Sequence, residues 1–573
     1  MTSSIAPPIR HRPHTRLSLQ PPAGLPSPIP SPTQAKGDSC FVPSLETVSP
    51  TSAMSAHKHI IDLGDDADCD APENNTLMSC LTNMSLSSLP MPPALGNDED
   101  DDDGQRGRER GPIVTRFPKP PSPRRSSVLG SRAEQRRIYL GPKLSDRATG
   151  GPDAGPLIER FSCLFRDQYD CKANPTGIVS LGVAENFLME KECLQIFKLG
   201  LLNNFLSSDL SYGDSLWGSR RINKALSSFY NEWFDPAEEV MPEHLITGVG
   251  CSAVLDQLFY TLMDEGEAIL LAAPYYTGFD RDLIGRGRVQ LIPVYVPEGD
   301  GGFSPSSLDA FEVALAQCEK KGVIVRAVIV CNPQNPLGRT YSRETLLAYA
   351  KFCEEKDLHL VSDEIYALSV YDNPHFPHAV PFTSMLSLDV ANELGCEFDR
   401  ARLHVVHGMS KDFCANGLRV GALISQNNPL LLRAMANTSM LMKISSPADV
   451  IYSSLLTDKE QLHQFIELNR AKLGEAHAYI RNWFEERGVK VADSNAGHFV
   501  WVDLGGKLKF RDTPREKRVF QSLLDGGVYI APGTAYHNKT PGWYRVTFSV
   551  SRDNLQVGLA KMERILGLYP HPK

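Results

Sequence analysis

Short apolar runs and helical stripes appear along this chain only after about residue 155. Ile178–Leu181 is a short apolar run. Ser252–Met263 places its apolar residues at helical spacing. Ala268–Ala272 and Val289–Val296 read as strands. Val323–Val330 is β-branched and interrupted only by Arg326, the pattern of a strand buried on both faces. Ser342 is placed to cap a helix running through Cys353. Leu358–Val361 and Leu403–Val406 complete this set of strands. Beyond about residue 430 the pattern changes to a long helical tract reaching Gly488. Strands at His498–Val502, Val528–Ile530 and Arg545–Val550 follow, then an amphipathic helix over Asp553–Leu566. Strands alternating with helices predict an α/β fold: a large domain with a mostly parallel central sheet between helices, and a smaller α/β domain packed on it.

Residues 1–150 lack such a pattern. They are rich in Pro and Ser, with an acidic run at Asp98–Asp103 and a basic Pro/Ser stretch at Arg106–Arg125. That composition buries too little apolar surface to offset the entropy of ordering, so a disordered extension is expected. The first 37 residues carry no Asp or Glu, as in a transit peptide, but their prolines oppose the amphipathic helix such peptides form. No apolar signal core and no membrane-length apolar stretch is present. The 12 cysteines form no C-x-x-C pairs, which predicts reduced thiols and no zinc site in a cytoplasmic protein. A net charge of −9 argues against nucleic acid as the main partner.

Polar residues collect just past the expected strand ends, where open α/β sheets bind ligands. Ala268–Ala272 leads to Tyr275-Tyr276, and Val323–Val330 to Asn332 within 331–338. Leu358–Val361 leads to Asp363 and Tyr366, and Leu403–Val406 to Ser410, Lys411 and Arg419. Singly, each has a plainer reading: a helix cap for Asp363, a turn for Asn332, a core aromatic for Tyr276, a polar loop for Lys411. Together they make an amine beside a phosphate cradle, which is what pyridoxal 5'-phosphate needs in order to form a Schiff base. Lys411 would be the amine and Asp363 the carboxylate at the pyridine nitrogen. Asn332 and Tyr366 would bond the ring oxygen, and Tyr276 would stack on the ring. Ser410, Arg419 and the helix opening at Cys251, Ser252 and Ala253 would hold the phosphate.

Asn332-Pro-Gln-Asn-Pro-Leu-Gly338, Ser362-Asp-Glu-Ile-Tyr366 and Ser410-Lys-Asp followed by Leu418-Arg-Val-Gly421 resemble the signatures of class I/II pyridoxal-phosphate aminotransferases, fold type I. Gly182-Val-Ala-Glu-Asn186 and Pro274-Tyr-Tyr-Thr-Gly-Phe-Asp-Arg-Asp282 are similar to segments of the 1-aminocyclopropane-1-carboxylate (ACC) synthase branch. The resemblance implies a large domain over 206–430 and a small domain built from 151–205 and 431–573. It implies a homodimer in which Tyr212 reaches the neighbouring subunit's cofactor phosphate. It further implies Arg545 on the substrate carboxylate, and Glu185 and Arg281 in substrate handling. Gly408, Cys414-Ala415-Asn416 and Val254-Leu255 depart from the family pattern. The expected activity is that of an aminotransferase on an amino acid substrate, in small-molecule biosynthesis, with no nucleic acid or membrane partner. ACC-synthase-like or carbon–sulfur lyase chemistry and a non-catalytic binding role are the alternatives.

Overall fold

The computed structural model describes Ser145, residues 162–297 and residues 302–570. The expected disordered extension lies outside the described residues, apart from Ser145.

A seven-stranded sheet forms the larger body. Its strands are β2 (Leu245–Gly248), β3 (Ala268–Ala273), β4 (Gln290–Tyr295), β5 (Val325–Cys331), β6 (His359–Asp363), β7 (Leu403–Gly408) and β8 (Gly421–Ile424), in the order β2-β8-β7-β6-β5-β3-β4. The pairs β3–β4, β3–β5, β5–β6 and β6–β7 are parallel, while β8 runs antiparallel to β7 and β2. Alternate residues of one strand enter opposite apolar layers. Val328 and Val330 of β5 join one cluster, Ala327 and Ile329 the other. A strand buried on both faces must read as a continuous apolar run, and β5 does. Arg326 is its exposed exception, paired with Glu267 at 2.7 Å.

The five strands expected in this region occur within two residues of their expected ends. β2 and β8 are short and Gly-bounded, and lie outside the sequence reading. Ser342 caps its helix as expected, its hydroxyl accepting from Thr345 N at 3.2 Å. The helix α1 (Glu190–Asn204) precedes α2 (Arg220–Trp233), whose buried face includes Leu226, Phe229 and Tyr230. Neither helix was expected.

The smaller body holds a four-stranded antiparallel sheet, β9 (Lys490–Val491), β10 (Phe499–Asp503), β12 (Ala531–Pro532) and β13 (Trp543–Thr547), in the order β12-β13-β10-β9. A two-stranded parallel sheet pairs β1 (Val179–Ser180) with β11 (Val528–Tyr529).

The expected helical tract from 430 to 488 is three helices, Pro429–Ala436, Ser446–Thr457 and Lys459–Glu486. The expected division near 430 also differs from the packing. Tyr452, Leu456 and Phe465 belong to the larger body's core, and the second core takes over at Leu473, inside the helix Lys459–Glu486. The described part of the 151–205 segment, from 162, is likewise shared: Val179 and Leu181 join the second core, Met189 and Cys193 the first. A helix crossing between two cores keeps one continuous apolar stripe, so its sequence carries no mark at the crossing. Among the described residues no helix is long and apolar enough to cross a membrane.

Candidate active site

The carboxyl ends of the parallel strands open into a cavity of about 290 Å³. Its wall includes Gly182–Ala184, Cys251 and Ser252, Tyr276, Arg281 and Asp282, Asn335, Asp363, Tyr366, Ser410, Lys411, Arg419, Tyr536 and Arg545. Strands from both bodies therefore contribute to one site.

Lys411 stands on a short helical turn, Met409–Asp412, directly after β7. Its Nζ donates to Ala184 O at 2.5 Å. Burial, helped by the cationic Arg545 and Arg419 and opposed by Glu185, lowers its proton affinity to about 8. A buried amine near other cations gives up its proton near neutral pH and becomes a nucleophile. Asp363 ends β6. Burial raises its carboxyl to about 7, against a hydrogen bond from Ile365 N and with the Asp282 charge adding to the rise. A buried carboxylate of this kind holds a cationic N–H partner strongly, because no water competes for it.

The helix α3 (Cys251–Leu262) opens at the cavity after Gly250, whose φ is 89°. A methyl group at Gly250 would overlap the Arg419 guanidinium, and one at Gly421 would lie 2.5 Å from Cys251 N. The two glycines thus let an arginine and β8 close on the free N–H groups of a helix start. Those N–H groups, Arg419 and the nearby Ser252 and Ser410 hydroxyls form a donor set suited to a phosphate. Tyr276 lies in the same wall, and burial lifts its hydroxyl to about 12. Tyr366 is buried with its ring edge-on to Phe499 at 5.6 Å.

Arg545, on β13, is buried. Its Nη1 donates to Asn335 Oδ1 at 2.9 Å and its Nη2 to Gly182 O at 2.6 Å. The rings of Phe499 and Tyr536 lie 4.7 and 5.1 Å from its guanidinium carbon. Its Nε has no hydrogen-bond partner among the described residues. A buried cation with a spare donor beside a cavity is a ready seat for an anion.

Several expected placements need correction. Asn332 is fully buried but turned away from the cavity. Its Nδ2 donates to Thr383 O at 2.8 Å and its Oδ1 accepts from Tyr341 N at 3.3 Å. The asparagine in the wall is Asn335, three residues on in the same motif. The motif offers two Asn-Pro pairs, and which asparagine faces inward depends on the turn they form. Ala253 lies behind Cys251 and Ser252 and is not in the wall. Glu185 also lies outside the wall, its carbonyl taken by the Ser549 hydroxyl. Tyr212, expected to act in the neighbouring subunit's site, is outside this wall and 76% exposed, and its carbonyl accepts from the Lys443 amine. Arg281 is in the wall, half exposed, and 3.4 Å from Asp282. Among the described residues no cluster of three or more metal-ligating side chains occurs.

A family model described as aminotransferase class I and II matches residues 208–562. The chain belongs to that family. Its relatives in this family include a probable aminotransferase, aclI, of Aspergillus oryzae, 32% identical over 391 residues, covering 68% of this chain and 91% of the relative. Another is the probable aminotransferase tcpI of Claviceps purpurea, 32% identical and covering 68% and 89%. ACC synthase 1 of Cucurbita pepo is 29% identical over 415 residues, covering 71% and 81%. Among solved structures, an aspartate aminotransferase double mutant of Thermus thermophilus shares the fold with a TM-score of 0.57 and 21% identity, covering 74% of this chain and all of that one. This protein is thus a pyridoxal-phosphate-dependent enzyme of the aminotransferase family with the fold type I architecture, similar also to the ACC synthases. The donor set above fits that cofactor: one amine, one buried carboxylate, one aromatic face and one anion cradle, all in one wall.

The lowered proton affinity of Lys411 predicts how the apoenzyme captures the aldehyde. Only the uncharged amine attacks a carbonyl, so the capture rate should rise about tenfold per pH unit and level off near pH 8. A stopped-flow pH series checks this. A rate still climbing at pH 10 would mean an ordinary exposed lysine.

Proposed function

We propose that the protein transfers the amino group of an amino acid to a keto acid, with Lys411 as the proton carrier and Arg545 as the clamp for the substrate's α-carboxylate. The observation that carries this reading is that Lys411, Asp363 and Arg545 wall one cavity. When bound, pyridoxal phosphate supplies an aldehyde for the amino group and a ring that takes up the electrons left at Cα. The chain's residues do the rest. Arg545 offers a planar fork, held at 2.9 and 2.6 Å by Asn335 and Gly182, so the carboxylate meets a fixed donor array. Lys411 would take the proton from Cα of the bound amino acid and hold it for return. Asp363 would face the ring nitrogen and favour its protonated form, and Tyr276 would cover the ring face. Cys251 and Ser252, with Ser410 and Arg419, would hold the phosphate.

The fold's relatives act on amino acids and are typically dimeric. In this reading the protein is a homodimer, and Tyr212, exposed in one subunit, reaches the phosphate of the other. Its position among exposed Leu206, Leu210, Leu216 and Trp217 supports a face covered by a second copy.

A second reading, elimination from Cβ or Cγ, is favoured by Arg281 in the cavity wall and by the likeness to ACC synthases. One assay separates the two. The purified holoenzyme is given a panel of amino acids with and without a second keto acid. Transamination predicts a new keto acid only when the acceptor is present. Release of a thiol or thioether without an acceptor would overturn it in favour of elimination.

A further inference from the structure

A buried polar chain runs behind Lys411, away from the cavity. Asp412, the residue after Lys411, accepts from Leu368 N at 3.0 Å and from the Ser369 hydroxyl at 2.7 Å. Its other contact is His407 Nε2 at 3.0 Å, and His407 Nδ1 lies 3.4 Å from the Tyr230 hydroxyl. Ser369 in turn lies 3.2 Å from His498 Nε2. Asp412, Ser369, His407 and His498 are all essentially excluded from solvent.

The donor and acceptor count fixes the direction of this chain. The Ser369 hydroxyl has one hydrogen, and the carboxylate of Asp412 can only accept, so that hydrogen goes to Asp412. His498 Nε2 must then be the donor to Ser369, which leaves Nδ1 bare. This tautomer is assigned from the network, and it agrees with Nδ1 having no partner among the described residues. Burial, with Lys411 and Arg545 nearby, holds the ring neutral.

The chain joins three segments that each carry a cavity residue. Ser369 and Leu368 sit on the loop that follows Asp363 and carries Tyr366. Asp412 sits on the turn that carries Lys411. His498 leads into β10, which pairs with the Arg545 strand through Trp501↔Arg545, and its carbonyl accepts from Phe548 N at 2.9 Å. The His498 ring also stands edge-on to Tyr366 at 5.3 Å. A backbone bond, Gly497 N to Ser369 O at 2.8 Å, crosses the same boundary. A leucine at 498 would supply no donor, whereas the histidine places a directed one there.

We propose that His498 and Ser369 are positioning residues: through Asp412 they hold the turn that aims Lys411 in register with the strand that carries Arg545. The proposal rests on the functional reading above, since it needs Lys411 to move a proton on a substrate held by Arg545. A joint of this kind acts on the proton-transfer step more than on substrate affinity. An offset of about 1 Å between base and Cα costs up to about a hundredfold in rate.

The test compares His498→Leu, His498→Gln and Ser369→Ala as cofactor-loaded enzymes. Expected for His498→Leu and Ser369→Ala is a kcat per loaded site lower by about tenfold or more, with KM for the amino acid within about threefold of wild type. The isotope effect with Cα-deuterated substrate should rise in both. His498→Gln, which keeps an N–H donor for Ser369, should recover most of kcat and return the isotope effect towards wild type. Should His498→Leu fail to fold, Ser369→Ala carries the same comparison. Unchanged kcat and isotope effect per loaded site, whatever the melting temperature, would overturn the joint. Borohydride trapping in each variant keeps two failures apart. No linkage at Lys411 in the wild-type enzyme overturns the functional reading and the joint with it, whereas normal linkage with unchanged kcat overturns the joint alone.

Discussion

Lys411→Ala is expected to lower turnover by about 10⁴-fold or more while leaving the fold intact, because in the proposed reaction one amine is both the nucleophile for the cofactor and the base at Cα. Lys411 is the one lysine in the cavity wall among the described residues, so no neighbour can substitute for it. The fold should survive, since the buried amine is itself a cost. Its lowered proton affinity says that the folded protein disfavours the charged form. The apo variant's stability should therefore lie within about 1 kcal/mol of wild type. Lys411→Arg is the control for charge. It keeps a cation in place but cannot release a proton at any working pH, and should be as inactive as the alanine variant. Steady-state turnover with the best amino acid, alongside thermal melting, checks both. Turnover near wild type in either variant would remove Lys411 from the mechanism.

Arg545→Leu carries the second large effect. Arg545 is buried, its fork tied to Asn335 and Gly182 and its faces covered by Phe499 and Tyr536. A substrate carboxylate brought against a leucine would be buried without a partner. Losing one side of a buried charge pair costs about 2–5 kcal/mol. That corresponds to a fall in kcat/KM of about 30-fold to several thousandfold. Because the clamp acts on bound substrate and transition state alike, most of the loss should appear in KM. Arg545→Lys keeps the charge but not the fork, and should fall between leucine and wild type. An unchanged KM in Arg545→Leu would place the carboxylate elsewhere, with Arg281 the next cation in the wall.

Much of the large body was legible because its strands are buried on both faces. β5 and β6 read as apolar runs, and the chemistry-bearing residues follow where the runs stop. Lys411, Asp363, Tyr276, Tyr366, Ser410 and Arg419 reach the cavity for that reason. Arg545 was different. It lies inside β13, and nothing in its local spacing marks it as a ligand residue, so only the family resemblance pointed to it. The choice of Asn332 over Asn335 failed for a conformational reason: both follow the same strand, and the turn decides which side chain faces inward. The helix α2 was legible but overlooked: Ile222, Leu226, Phe229 and Tyr230 recur at helical spacing, with Arg221, Lys224 and Glu232 between them, the pattern of an amphipathic helix. His498 had no local signal at all. Its role as a donor depends on Ser369 and Asp412, which lie 129 and 86 positions away in sequence and meet it only in the fold.

The proposed reaction requires that one amine, Lys411, be covalently linked to the cofactor. Borohydride reduction of the purified holoenzyme, followed by peptide mapping, tests it most directly. The reduced cofactor is predicted on the peptide that contains Lys411. Its recovery on another lysine, or its complete release with no lysine labelled, would contradict the account.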